Sequence, residues 1–127
     1  MELTKLILTT TNGEKFILEK TYKYKVNGLV ITIPEGFETD LASVPKVFRN
    51  IVNSYGKNYT RASIVHDWLY SKECDIDITR KQADDIFLQI MKERGVNFIK
   101  RQAIYLAVRT FGKSHFRKGS WECHLMK

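Results

Sequence analysis

Apolar residues along the first third of the chain come in short runs broken by turn signals. Further on they recur at three- and four-residue steps. Leu3–Thr9 and Lys15–Leu18 flank Asn12-Gly13, while Tyr22–Val26 and Leu29–Ile33 flank Asn27-Gly28. Asn-Gly supplies the two positive-φ positions that a type I′ hairpin turn requires, so two hairpins and a small antiparallel sheet of about four strands are predicted. Leu29–Ile33 is apolar nearly throughout, which places it centrally or against the helices.

Pro34 to Pro45 joins the two halves, and Pro45 suits the first position of a short helix running on through Val52. Three longer helices follow. Thr60 is expected to cap Arg61–Tyr70. Thr79-x-x-Gln82 matches a capping box, and Ala83, Ile86, Phe87, Ile90 and Met91 then form one stripe that ends at Gly95. Asn97 is expected to cap Phe98–Phe111, with Ile99, Ala103, Leu106 and Ala107 as its apolar face and Gly112 as its stop. The expected fold is α+β: an N-terminal antiparallel sheet of two hairpins packed against three or four C-terminal helices. Residues 1–127 are read as one domain ending in a basic tail from 113 to 127.

Composition narrows the picture. A chain of 127 residues, 43% of them hydrophobic, is long enough to bury roughly two-thirds of its unfolded surface. No apolar run approaches the ~18–20 residues of a membrane span, and Met1–Lys5 does not open a signal peptide. Cys74 and Cys123 are too few for a disulfide framework and too far apart for a zinc knuckle. Residues 1–91 carry 12 Lys/Arg and 12 Asp/Glu, whereas residues 92–127 carry 9 and 2 and so supply the whole +7. Such an end is either a solvated helix surface with a tail or a face for nucleic acid, anionic lipid or an acidic partner.

The chemistry concentrates at His66-Asp67 and at Asp84-Asp85 one loop later. On a helix His66 and Tyr70 share a face, with Ala62 leaving room above the imidazole, and Asp67 is rotated by about 100°. Asp84 falls on the border of the apolar stripe of its helix and Asp85 points away from it, so Asp84 is the better partner for His66. A carboxylate bonded to one imidazole nitrogen fixes the tautomer and stabilises imidazolium. The alternative is a buried His–Asp bond that only staples two helices. Asp40, in the loop after the fourth strand, suits either a metal ligand with Asp67 or a turn that bonds its own backbone. Asp75-Ile76-Asp77 places negative charge ahead of the next helix.

Phe37-x-Thr39-Asp40-Leu41-Ala42-Ser43-Val44-Pro45, His66-Asp67-Trp68-Leu69-Tyr70 and Arg80-x-x-Ala83-Asp84-x-x-Phe87 with Met91 together resemble a family of small proteins. That family is encoded in tailed bacteriophages and prophages and catalogued as a domain of unknown function. The resemblance implies a phage origin and a place in the host bacterial cytoplasm or the assembled virion.

His66-Asp67-x-x-Tyr70 with Asp84 on the next helix is also similar to the catalytic helices of calcium-dependent secreted phospholipases. That resemblance implies His66 as the base activating a water and Asp67 as a Ca2+ ligand. Asp84 and Tyr70 would steady the histidine. The helix-linking disulfides and the glycine-rich calcium loop of those enzymes are absent. Gly36 and the Asp40–Ser43 loop would have to replace that loop.

The expectation is therefore a small phage-encoded hydrolase-like domain with catalytic His66, Asp84 and Tyr70, and with Asp67 and Asp40 for Ca2+. An acyl ester of a lipid is the best substrate, with a different ester or amide bond left open. The alternative is a non-catalytic virion or accessory protein that docks on a phage or host protein. A third reading is nucleic-acid binding through the basic C-terminal region, which lacks a groove-reading motif.

Overall fold

The computed structural model describes residues 1–11, 15–39, 57–74 and 76–116. Several expectations lie outside the described residues: the Asn12-Gly13 turn, Asp40 and its loop, the short helix from Pro45, Asp75, and the tail with Trp121 and Cys123. The chain divides into two compact units, Met1–Leu41 and Ala42–Lys127. The first is built of antiparallel strands and the second of three helices, an α+β composition.

In the first unit β1 (Leu8–Thr11), β2 (Lys15–Leu18) and β5 (Glu38–Thr39) form one antiparallel sheet in the order β1-β2-β5. Its registers set Thr9 opposite Ile17 and Phe16 opposite Thr39. β3 (Tyr22–Val26) and β4 (Leu29–Ile33) form a second sheet with Tyr24 opposite Ile31. Asn27 and Gly28, at φ 53° and 77°, make the tight turn between them.

Two strand expectations need correction. The first strand starts at Leu8 rather than Leu3, because residues 1–3 run beside β3 instead: Lys25 N–H donates to Met1 O and Leu3 N–H to Lys23 O. β4 is not central, since among the described residues it pairs only with β3. It buries Ile31 and Ile33 and leaves Val30 exposed. Its apolar run thus reads as a two-faced edge strand opposite a β3 that buries Tyr22, Tyr24 and Val26 between exposed lysines. The chain then leaves β4 through Pro34–Phe37, where Phe37 N–H donates to Pro34 O. Gly36 takes φ 90° at the third position, the left-handed backbone that glycine adopts without strain.

The second unit contains α1 (Lys57–Tyr70), α2 (Arg80–Glu93) and α3 (Phe98–Phe111), followed by a 3-10 turn over Gly112–His115. α1 packs on α2, and α2 on α3. α1 begins a turn before the expected start, so Thr60 lies within it instead of capping it. The added turn buries Tyr59, whose ring meets Phe87 edge-on at 6.1 Å.

α2 opens with a complete capping box. Gln82 N–H donates to Thr79 Oγ1 at 3.1 Å, and Thr79 N–H donates to Gln82 Oε1 at 2.9 Å. It closes as Gly95, at φ 89°, lets Val96 N–H donate back to Met91 O. Asn97 caps α3 by accepting from Lys100 N–H at 3.0 Å.

The expected apolar face of α3 is corrected. The helix buries Ile104, Ala107 and Val108, while Ile99 and Leu106 stand in solvent. Its polar partners explain the rotation: Tyr105 and Arg109 both reach acids of α2, so the side holding them is turned inward.

Candidate functional site: a carboxylate shared by three helices

Ala62, His66 and Tyr70 lie along one face of α1, and Asp84 lies on α2 among its buried residues. Helical side chains lean toward the N-terminus of their helix, which lets His66 and Tyr70 reach one carboxylate from successive turns. Asp84 Oδ1 is 2.8 Å from His66 Nε2 and accepts from the Tyr70 hydroxyl at 2.5 Å. Asp84 Oδ2 accepts from Arg109 Nη1 at 2.7 Å and lies 3.7 Å from Arg80 Nη1. The imidazole stacks on Phe87 at 4.4 Å between centroids, tilted by 24°, and meets Tyr70 at 4.2 Å. An ionised carboxylate only accepts, so Nε2 carries the hydrogen and, in the neutral ring, Nδ1 is the basic nitrogen.

Burial by itself would raise the Asp84 pKa. The bonds from His66, Tyr70 and Arg109 outweigh it and hold the carboxyl below the usual carboxylate range. Tyr70 moves the opposite way: burial, then the bond to an anion, push its hydroxyl well above the ordinary tyrosine value. For Arg109 the Asp84 bond holds the guanidinium proton more firmly still. The centre is therefore an anion fixed among donors. It is also enclosed, since His66 and Asp84 are both 0% exposed.

Two arginines that sequence reasoning gave no role complete the arrangement. Arg80 donates from Nη1 to Val108 O and from Nη2 to Arg109 O, both at 3.1 Å, so a cation caps the last carbonyls of α3. That clamp brings Arg109 to Asp84. No sequence signal marks Arg109, since its partner lies 25 residues away on another helix. Gly112 also has a role beyond ending a helix. Its φ of −78° is ordinary, but a Cβ there would stand 2.9 Å from the Tyr70 hydroxyl oxygen.

Asp85 accepts from Lys81 Nζ at 2.8 Å and from the Tyr105 hydroxyl at 2.5 Å. Burial tends to raise its pKa, but these two bonds lower it on balance, while burial and the anion push Tyr105 up to about 12. Asp67 is half-buried on the adjoining side of α1. Among the described residues no three His, Cys, Asp or Glu side chains gather to hold a metal ion. Gly36 belongs to the β4–β5 turn.

Ser63, one turn before His66, is 1% exposed, and among the described residues its hydroxyl has no hydrogen-bond partner. Among the described residues no helix is long and apolar enough to cross a membrane.

A family model described as protein of unknown function (DUF1353) matches residues 16–108, a span that takes in His66, Tyr70, Asp84 and Arg80. Over 87 residues the chain is 32% identical to the uncharacterized protein y4jT of Sinorhizobium fredii (strain NBRC 101917 / NGR234). That alignment covers 68% of this chain and 25% of the relative, so the matched region amounts to about a quarter of that protein. No solved structure matches the chain.

Proposed function

The chain belongs to the DUF1353 family, and we propose that it is a small phage-encoded hydrolase-like domain in which His66 acts as general base on an ester bond. An acyl ester of a lipid is the preferred substrate. The supporting observation is that His66 Nε2 and the Tyr70 hydroxyl share one oxygen of Asp84. In that arrangement Nδ1 takes the proton of a water attacking the acyl carbon, Asp84 stabilises the imidazolium so formed, and Nδ1 returns the proton to the leaving alkoxide as the acyl C–O bond breaks. Tyr70 holds the carboxylate in place. A positioned base of this kind contributes ~10²–10⁴-fold. No step is assigned to calcium. The test is fatty-acid release from dispersed phospholipid, with and without added calcium. The native protein is expected to exceed buffer, and His66→Gln to lose at least a hundredfold. Native protein no faster than buffer overturns the reading.

A second reading is favoured by the enclosure of the centre. With both partners fully buried and Asp84 answered by Arg109, the cluster also suits an interhelix staple in a non-catalytic virion or accessory protein. Among the described residues nothing in the geometry adds to the nucleic-acid reading. Arg109 donates to Asp84, and Arg101 donates to Val96 O while lying 5.2 Å over the Phe98 ring, so part of the basic charge is used internally.

A further inference from the structure

The wall over Tyr70 differs in kind from the helices that build the centre. His66 and Tyr70 project from α1, Asp84 from α2 and Arg109 from α3, each a helix of 14 residues. Directly after α3 the chain enters the Gly112–His115 3-10 turn, whose hydrogen bonds are poorer in geometry than those of an α-helix. This short segment meets Tyr70 twice. Gly112 is buried against it, so closely that a Cβ would stand 2.9 Å from the hydroxyl oxygen and 3.4 Å from ring carbon Cε2. Phe116 then sets its half-buried ring edge-on to the Tyr70 ring, at 5.0 Å between centroids and 85° between planes. Tyr70 is left 2% exposed.

Arg80 marks where the fixed part of this end stops. It donates to Val108 O and Arg109 O, which ties the last turn of α3 to α2 and keeps Arg109 on Asp84. Beyond Gly112 the segment is held by the turn bond from Phe116 N–H to Lys113 O, at 3.3 Å, and by the ring pair with Tyr70. Lys113 between them stands in solvent. Local opening draws on the parts of a fold with few buried contacts and little regular hydrogen bonding. Lifting residues 113–116 breaks one aromatic pair and a short turn, whereas displacing any of the three helices breaks bonds to Asp84.

We propose that Gly112–Phe116 is a strap over the His66–Asp84–Tyr70 centre, hinged at Gly112 and latched by Phe116 on Tyr70, whose lifting admits water to His66. The use made of that water rests on the base reading above, but the strap itself does not.

The test follows exchange of the His66 Nε2 hydrogen by NMR in the full chain, at several low urea concentrations. Phe116→Ala is expected to exchange about tenfold faster than the native protein, the scale of one lost aromatic pair. The rate should depend little on urea, as for a local opening. Phe116→Tyr keeps the ring and should exchange at the native rate. Thr79→Ala weakens the whole fold away from the strap, and it should leave the rate unchanged as well. An unchanged rate in Phe116→Ala overturns the strap while leaving the base reading in place. An equal gain in Thr79→Ala, or a steep urea dependence in Phe116→Ala, overturns it too. Native exchange limited by complete unfolding, beside local exchange in Phe116→Ala, supports the strap and counts against the base reading instead.

Discussion

Replacing Asp84 with asparagine keeps the shape of the buried side chain and removes its charge. The amide has one carbonyl oxygen and one donor group. If the oxygen faces His66 and Tyr70, the amide N–H2 meets Arg109 donor to donor; if it is flipped, it meets His66 and Tyr70 instead. Each bond to a charged group contributes ~1.5–3 kcal/mol, but three bonds to one carboxylate are not additive. Breaking a buried ion pair by removing one partner costs about 3–5 kcal/mol, and that is the expected loss. For a chain of this size it corresponds to a Tm drop of about 10–20 °C.

The difference also has a pH signature. Asp84 is held below its ordinary value in the fold, so its contribution is full above the unfolded carboxylate value of ~3.9 and is lost as pH falls through its lower folded value. Urea unfolding at pH 7 and again near pH 3 measures both effects. A loss under 1 kcal/mol at pH 7, or a native–variant gap that widens on acidification, would refute the account of the shared carboxylate.

Other substitutions probe single links. Tyr70→Phe removes a donor to the buried anion and should cost about 1.5–3 kcal/mol by urea unfolding, with native stability falling above pH ~10, where the unfolded tyrosine ionises and the folded one stays protonated. Ser63→Ala deletes a buried hydroxyl that has no partner among the described residues, so the melting temperature should hold or rise. Gly112→Ala forces a methyl group against Tyr70 and should cost ~1–3 kcal/mol by thermal melting, although its backbone angles suit alanine. Thr79→Ala opens the capping box and should cost about 1 kcal/mol by the same measurement.

Local rules carried much of the fold. The Asn27-Gly28 turn, the Thr79–Gln82 box and the Asn97 cap depend on residues within three positions of one another, and each lies where its pattern placed it. The apolar stripe of α2 was legible for the same reason, because a core-facing helix with few long polar side chains leaves little choice of face. Hydrophobicity alone does not give the buried face of α3. Tyr105 and Arg109 find acids on α2, and those two bonds turn Ile99 and Leu106 outward. The central placement of β4 fails in a related way, since five apolar or β-branched residues look alike whether one face is covered or both.

At the centre, helix geometry alone favoured Asp84 over Asp85 beside His66, which is the pairing found. Arg80 and Arg109 were beyond reach of that argument, because their positions depend on how α2 and α3 dock.

Hydrogen exchange at His66 Nε2, followed by NMR and compared with the free energy of global unfolding, separates a working base from a staple. A base that meets water must open locally, so the account predicts exchange well short of the global limit, with Nδ1 unprotonated in the neutral ring. Exchange only through complete unfolding, or a neutral ring protonated at Nδ1, would contradict it.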